Sequence, residues 1–259
     1  MPGQALSSRK RNTGKKKTPK AAKYRAPFES PYPGLKHFDM DNELVIPKDV
    51  EPLRASDRYR TIVGSIKSRP GDVVFKQFLL PDNKEKPDKG DEEHLVEIGW
   101  LLDVWTKLKH RRITPLLGFS VEVCIPTVIS PFYPNRDIET FMSAHPVNLE
   151  TKLRWMTEIA EGLVHIHEKR CVFVDVKPNS FLLDDLESVR LNDFSNSLAL
   201  EEGFDGREQI PLPEDEIEYG TFTYFAPERT TQRATPNFNT DIYAYGIACI
   251  EILSDFGNI

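Results

Sequence analysis

Cysteine is scarce: Cys124, Cys171 and Cys249 are the only three in 259 residues. They lie far apart and form no Cys-x-x-Cys pair. That excludes a disulfide-stapled mini-protein and a structural zinc site, and it suits reduced thiols in an intracellular protein. Long apolar runs are also missing. No stretch approaches 18 apolar residues, so no membrane span is expected, and no apolar segment follows the N-terminus to act as a secretory signal. No internal repeat is visible. What remains is ordinary for a soluble protein: 39% hydrophobic and 29% charged residues exclude collagen-like, mucin-like and wholly disordered chains. The length allows one large domain or two small ones.

Charge of one sign is absent from one end. Residues 1–25 hold nine Lys or Arg and no Asp or Glu, which leaves 25 basic residues against 40 acidic ones, a net of −15, for the rest. A body this acidic is not a general nucleic-acid binder. Residues 1–30 read as a disordered basic tail. Its runs Arg9-Lys10-Arg11 and Lys15-Lys16-Lys17 leave two readings open, a nuclear-import patch or a solvated tail, and hence a nuclear or cytoplasmic location. Residues 31–56, with Pro31, Pro33, Pro47 and Pro52, read as an extended lead-in.

Tyr59–Ile66 alternates like a strand, Arg69-Pro70-Gly71-Asp72 signals a turn, and Val73–Phe78 reads as its partner strand. Residues 81–91 read as loop. Helical spacing of Leu95, Ile98, Leu101, Leu102, Trp105 and Leu108 predicts a helix over 92–109. Two more strands are expected within 115–130. A long amphipathic helix is expected over 148–169, its stripe running through Leu149, Leu153, Met156, Ile159, Ala160, Leu163 and Ile166. Short apolar runs follow at 171–174, 181–183 and 189–191, then a helix over 241–253. Strands first and helices later predict an α+β chain, with a sheet-rich part over 57–133 and a mainly helical part over 134–259.

Four motifs carry chemistry. Val172-Phe173-Val174-Asp175-Val176-Lys177-Pro178-Asn179-Ser180 is followed by Asn192-Asp193-Phe194-Ser195. Then come Gly220-Thr221 with Tyr224-Phe225-Ala226-Pro227-Glu228, and Asp241-Ile242-Tyr243-Ala244-Tyr245-Gly246. Upstream lie Val73-Val74-Phe75-Lys76, His110-Arg111-Arg112-Ile113 and Val128–Asn135. In this order and spacing they resemble the protein-kinase signature set, with a hinge like that of fungal kinase-like proteins. The resemblance covers roughly residues 57–259.

It implies a bilobal protein-kinase-like α+β fold that uses ATP and magnesium and takes a protein as substrate or partner. By the same resemblance, Lys76 holds the α and β phosphates and Asp193 binds magnesium. Asp175 accepts the proton of the substrate hydroxyl, and Lys177, of the Ser/Thr class, steadies the γ-phosphate. Ser130 is the small gatekeeper, Pro131–Tyr133 with Phe132 form the adenine hinge, and Leu182 lines the nucleotide site. Ser180 stands at the place of the second magnesium ligand. Glu97 either pairs with Lys76 from an extended helix or faces solvent. It is one turn from Leu101, which occupies the family's glutamate position.

Departures from the family pattern are as informative. No Gly-x-Gly-x-x-Gly precedes Lys76; only Gly64 and Gly71 lie nearby. Val74 replaces Ala, Phe173 replaces His, Val174 replaces Arg, Ser180 replaces Asn and Ser195 replaces Gly. The segment 201–218 is acidic and reads either as a solvated loop or as a dock for the basic tail. The chain is expected to stop after the αF equivalent, a truncated C-lobe that leaves Glu228 without its usual Arg. Two functions follow: a Ser/Thr protein kinase, or a pseudokinase that binds nucleotide or protein without phosphoryl transfer.

Overall fold

The computed structural model of the chain describes residues 42–47, 50–56, 59–79, 92–120, 126–200, 220–231 and 234–256, with the backbone alone for 92–97, 99, 100 and 231. The basic tail, the loop over 81–91, Cys124, the acidic segment and the Glu97 side chain lie outside the described residues.

The first lobe is an antiparallel sheet of β1 (Leu44–Val45), β2 (Arg54–Ala55), β3 (Tyr59–Ile66), β4 (Arg69–Phe78), β5 (Gly118–Ser120) and β6 (Thr127–Pro131). Its order is β1-β3-β4-β6-β5, with β2 also paired to β3. The lead-in is therefore not merely extended: two of its segments join the sheet, because Leu44 pairs with Ile66 and Arg54 with Thr61. The reversal between β3 and β4 sits at Lys67-Ser68 rather than at residues 69–72, set by the register Ile66 to Arg69 after an irregularity at Ser65/Ile66. Alternation buries Ile62, Ile66, Val73 and Phe75 on one face. Gly64 is a packing requirement there: a Cβ on it would stand 2.3 Å from the Phe75 ring. It has no part in a phosphate loop.

The helix α1 (Glu92–Lys107) follows the spacing of its apolar residues. The second lobe is helical, with α2 (Ile138–Ala144), α3 (Leu149–Glu168), α4 (Pro227–Thr231) and α5 (Phe238–Leu253). Between α3 and α4 lie the short strands β7 (Cys171–Val172), β8 (Phe181–Leu183), β9 (Val189–Leu191) and β10 (Leu198–Ala199). The Asn148 side chain caps α3 by accepting from the Thr151 amide. The buried stripe of α3 differs from the expected one. Leu149 and Leu153 are exposed, while Lys152, Trp155, Glu158, Ile159, Gly162, Leu163 and Ile166 are buried. Trp155 sets this rotation: its indole N–H donates to the Glu187 carbonyl at 2.8 Å, so the ring must face inward.

The last helix starts three residues earlier than the apolar pattern indicates, because Asn237 and Thr240 form a reciprocal capping box. Cys171 and Cys249 are buried free thiols, and burial pushes the Cys171 thiol up to about 11. Among the described residues no helix is long and apolar enough to cross a membrane. The expected bilobal α+β architecture is the one observed. Its main core joins α1, α3, α5 and the strands beneath the cleft, with Trp105, Trp155, Phe173 and Phe194 as its large rings.

Candidate functional site

The site begins with a loop that the sequence would not hold by itself. After β7 the chain turns at Val174, whose φ of 72° is left-handed. That region is unfavourable for a β-branched residue by about 1–3 kcal/mol. Asp241, on the first turn of α5, fixes the turn from below. Its carboxylate accepts the Phe173 amide at 2.7 Å and the Val174 amide at 2.8 Å, and His167 Nε2 lies 2.8 Å from Oδ2. Both amides are buried, so the carboxylate satisfies donors that nothing else in the loop could.

The turn delivers Asp175. Lys177 Nζ lies 2.7 Å from Asp175 Oδ2. Thr221 donates to Asp175 Oδ1 at 2.9 Å and accepts from Lys177 at 2.6 Å. Asp175, Lys177 and Thr221 thus close a ring that joins the loop to the Gly220-Thr221 motif.

The second loop carries Asp193 at φ 67°, ψ 70°. Lys76 Nζ donates to Asp193 Oδ1 at 2.6 Å and to Ser195 Oγ at 2.7 Å, and Ser195 Oγ donates to the same carboxylate oxygen at 2.8 Å. Burial alone would raise the Asp193 carboxyl, but the Lys76 ammonium and the Ser195 hydrogen bond hold it down to about 2. It is therefore an anion across the neutral range. Phe194 points the other way, fully buried, with its ring centroid 5.3 Å from both Phe173 and Trp105. Phe173, in place of His, keeps this stack.

Both loops open on a cleft between the lobes. Its wall includes Lys76, Ser130, Phe132, Leu182 and Asp193, and also Val74, Thr61 and Val128. Asp175 and Lys177 stand beside the wall and not in it. From α1, Leu101 and Trp105 line the cleft, while Glu97 lies one turn nearer the N-terminus than Leu101, its side chain outside the described residues. Ser180 is not part of the wall: it is buried, 2% exposed, at the end of the short turn Pro178–Ser180.

Sequence reasoning missed four neighbours. The first two, Arg54 and Tyr59, belong to the hairpin of β2 and β3 that overhangs the cleft. Arg54 Nη2 reaches Asp137 Oδ2 at 2.8 Å, and its Nη1 reaches the Asn179 carbonyl at 3.4 Å. The Tyr59 ring lies 4.1 Å from Lys76 Nζ. The other two are Asn179 and Asn192. Both line the cleft, and the Oδ1 of each is buried with no hydrogen-bond partner. An ionised carboxylate with unsatisfied amide oxygens nearby is an all-oxygen donor set, and it fits a hard divalent cation. Among the described residues no group of three His, Cys, Asp or Glu side chains forms another candidate metal site.

Comparison with known proteins agrees with this geometry. The family description "Protein kinase domain" matches residues 67–256. The chain is 28% identical over 173 residues to the L-type lectin-domain containing receptor kinase V.5 of Arabidopsis thaliana, covering 64% of this chain and 24% of the relative. It is 26% identical over 149 residues to Fer-related kinase 1 of Caenorhabditis elegans, covering 58% and 36%. To the cysteine-rich receptor-like protein kinase 27 of Arabidopsis thaliana it is 24% identical over 221 residues, covering 80% and 33%. The chain thus spans about a quarter to a third of the length of these curated relatives. With the family description covering most of its length, the chain belongs to the protein kinase domain family.

Proposed function

We propose that the cleft binds ATP together with a divalent cation, magnesium in the cell, and slowly transfers the terminal phosphoryl group to a Ser or Thr hydroxyl of a protein. The observation that carries this reading is the convergence of Lys76 and Asp193 on one cleft with Asp175 and Lys177 beside it. Lys76 offers its ammonium to the phosphates. Asp175 accepts the hydroxyl proton, and Lys177, already on that carboxylate, stands ready for negative charge developing on the transferred group. The cation, when bound, offsets phosphate charge, and Asp193 is the carboxylate that would hold it.

A second reading, a nucleotide- or protein-binding module without transfer, draws on the hairpin. Arg54 and Tyr59 bring side chains to the region that backbone amides of a glycine loop would otherwise cover.

Thermal melting tests nucleotide binding. A ligand present at 100 times its Kd adds about 2.7 kcal/mol, which for a domain of this size is roughly 5–10 °C. Millimolar ATP with magnesium should raise the parent's melting temperature by that order, and Lys76→Met should abolish the rise. No shift in the parent would remove ATP binding, and the kinase reading with it.

A further inference from the structure

Resting on the ATP and divalent-cation reading above, we propose that Asn179, and not Ser180, supplies the amide oxygen that holds the cation opposite Asp193. The sequence Lys177-Pro178-Asn179-Ser180 carries an Asn one position ahead of the place where the resemblance puts the second metal ligand. The fold makes the shift usable. Ser180 is buried, donates its amide to the Lys177 carbonyl at 2.9 Å and receives the Asn192 amide on its own carbonyl at 2.9 Å. Its backbone is spent on joining the two loops, and its side chain does not reach the wall of the cleft.

Asn179 does reach it, with its Oδ1 buried and without a partner. A buried amide oxygen left unpaired costs about 1–3 kcal/mol unless something binds it. Arg54 does not remove the vacancy, because it takes the main-chain carbonyl of Asn179 and leaves the amide.

The hydrogen bond from Asn192 to Ser180 places the two loops side by side, so Asn179 and Asp193 flank the same crossing from opposite strands of chain. Asn192, whose Oδ1 is also unpaired, is the nearest rival. It neighbours Asp193 in sequence, so the two would grip a cation from one loop only. Asp193 and Asn179 grip it from both, and oxygen donors drawn from two loops are what a hard divalent cation favours. Ser195 completes the arrangement as a positioning residue: its hydroxyl fixes the Asp193 carboxylate through Oδ1 at 2.8 Å.

The test is Mn²⁺ binding in the presence of a non-hydrolysable ATP analogue, read as loss of the free Mn²⁺ electron-paramagnetic-resonance signal. Asn179→Leu should weaken Mn²⁺ binding by at least roughly tenfold, the size seen when groups serving a metal site are removed. Asn179→Asp should tighten it, since it adds a charged oxygen at the same place. Ser180→Ala should match the parent, and Asn192→Leu should weaken Mn²⁺ binding less than Asn179→Leu does. If Asn179→Leu proves unfolded, Asn179→Asp decides by the direction of its change. Asn179 variants that bind Mn²⁺ as the parent does would overturn the proposal, and so would a loss that follows Ser180→Ala, or one in Asn192→Leu as large as in Asn179→Leu. A parent that binds neither nucleotide nor Mn²⁺ would overturn the ATP reading itself, a result distinct from either.

Discussion

Asp175→Asn is expected to reduce phosphoryl transfer to background. A carboxylate that accepts the hydroxyl proton contributes about 10² to 10⁴ in rate. The Asn side chain keeps the shape and its contact with Thr221, but it cannot take a proton. Phosphate incorporation into a generic Ser/Thr substrate, measured for parent and variant, checks it. The parent is expected to be slow, because transfer depends chiefly on positioning and charge, and the hairpin over the cleft offers side chains in place of glycine amides. Parent activity lost in Asp175→Asn would establish an enzyme. Equal signal in the two would favour the binding module, provided Lys76→Met melting shows that the parent cleft takes nucleotide.

Asp241→Ala should be the most destabilising single change at the site. The carboxylate is 1% exposed and satisfies the buried amides of Phe173 and Val174. Each donor left unpaired costs about 1–3 kcal/mol, so the pair amounts to roughly 2–6 kcal/mol, and Val174 also loses the anchor that holds its left-handed backbone. Against a total stability of about 5–15 kcal/mol, that lowers the melting temperature by about 5–20 °C. Urea denaturation of parent, Asp241→Ala and Asp241→Asn would read it. The Asn variant should fall between the other two, because its amide oxygen still accepts one of the two bonds. A loss below about 1 kcal/mol in the Ala variant would show that the loop is held by other means.

These residues also show what a sequence can reveal. Lys76, Asp175, Asp193 and Asp241 stood out because their motifs are local: each needs only its immediate neighbours to be recognised. Strand β3 was legible from its alternation and α1 from its spacing. The hairpin of Arg54 was not, since Pro47 and Pro52 disguise a segment whose pairing comes from β3 rather than from its own propensity. Helix α2 was hidden by its seven-residue length; its cap, Asp137 accepting from Thr140, is the signal that could have shown it. The stripe on α3 was misassigned because periodicity counts Leu149 and Leu153 as core and cannot see that Trp155 needs a carbonyl across the fold. Asn179 and Asn192 stand inside recognisable motifs, but their unpaired oxygens are a property of the packed loops and not of any spacing.

The contact of Arg54 with Asp137 has a mechanical consequence. Besides the hinge at Pro131–Tyr133, the lobes are tied by the Lys76–Asp193 bridge and by the core that α1 shares with α3. Arg54 adds a further fastening at the rim, from β2 to the cap of α2. The fastening is uneven: the Arg54 side chain is 41% exposed and that of Asp137 only 3%. Ions in solution can therefore reach the arginine end and loosen it. Raising salt is expected to slacken this one rim contact, by no more than about 1 kcal/mol, while the ties deeper in the cleft stay in place.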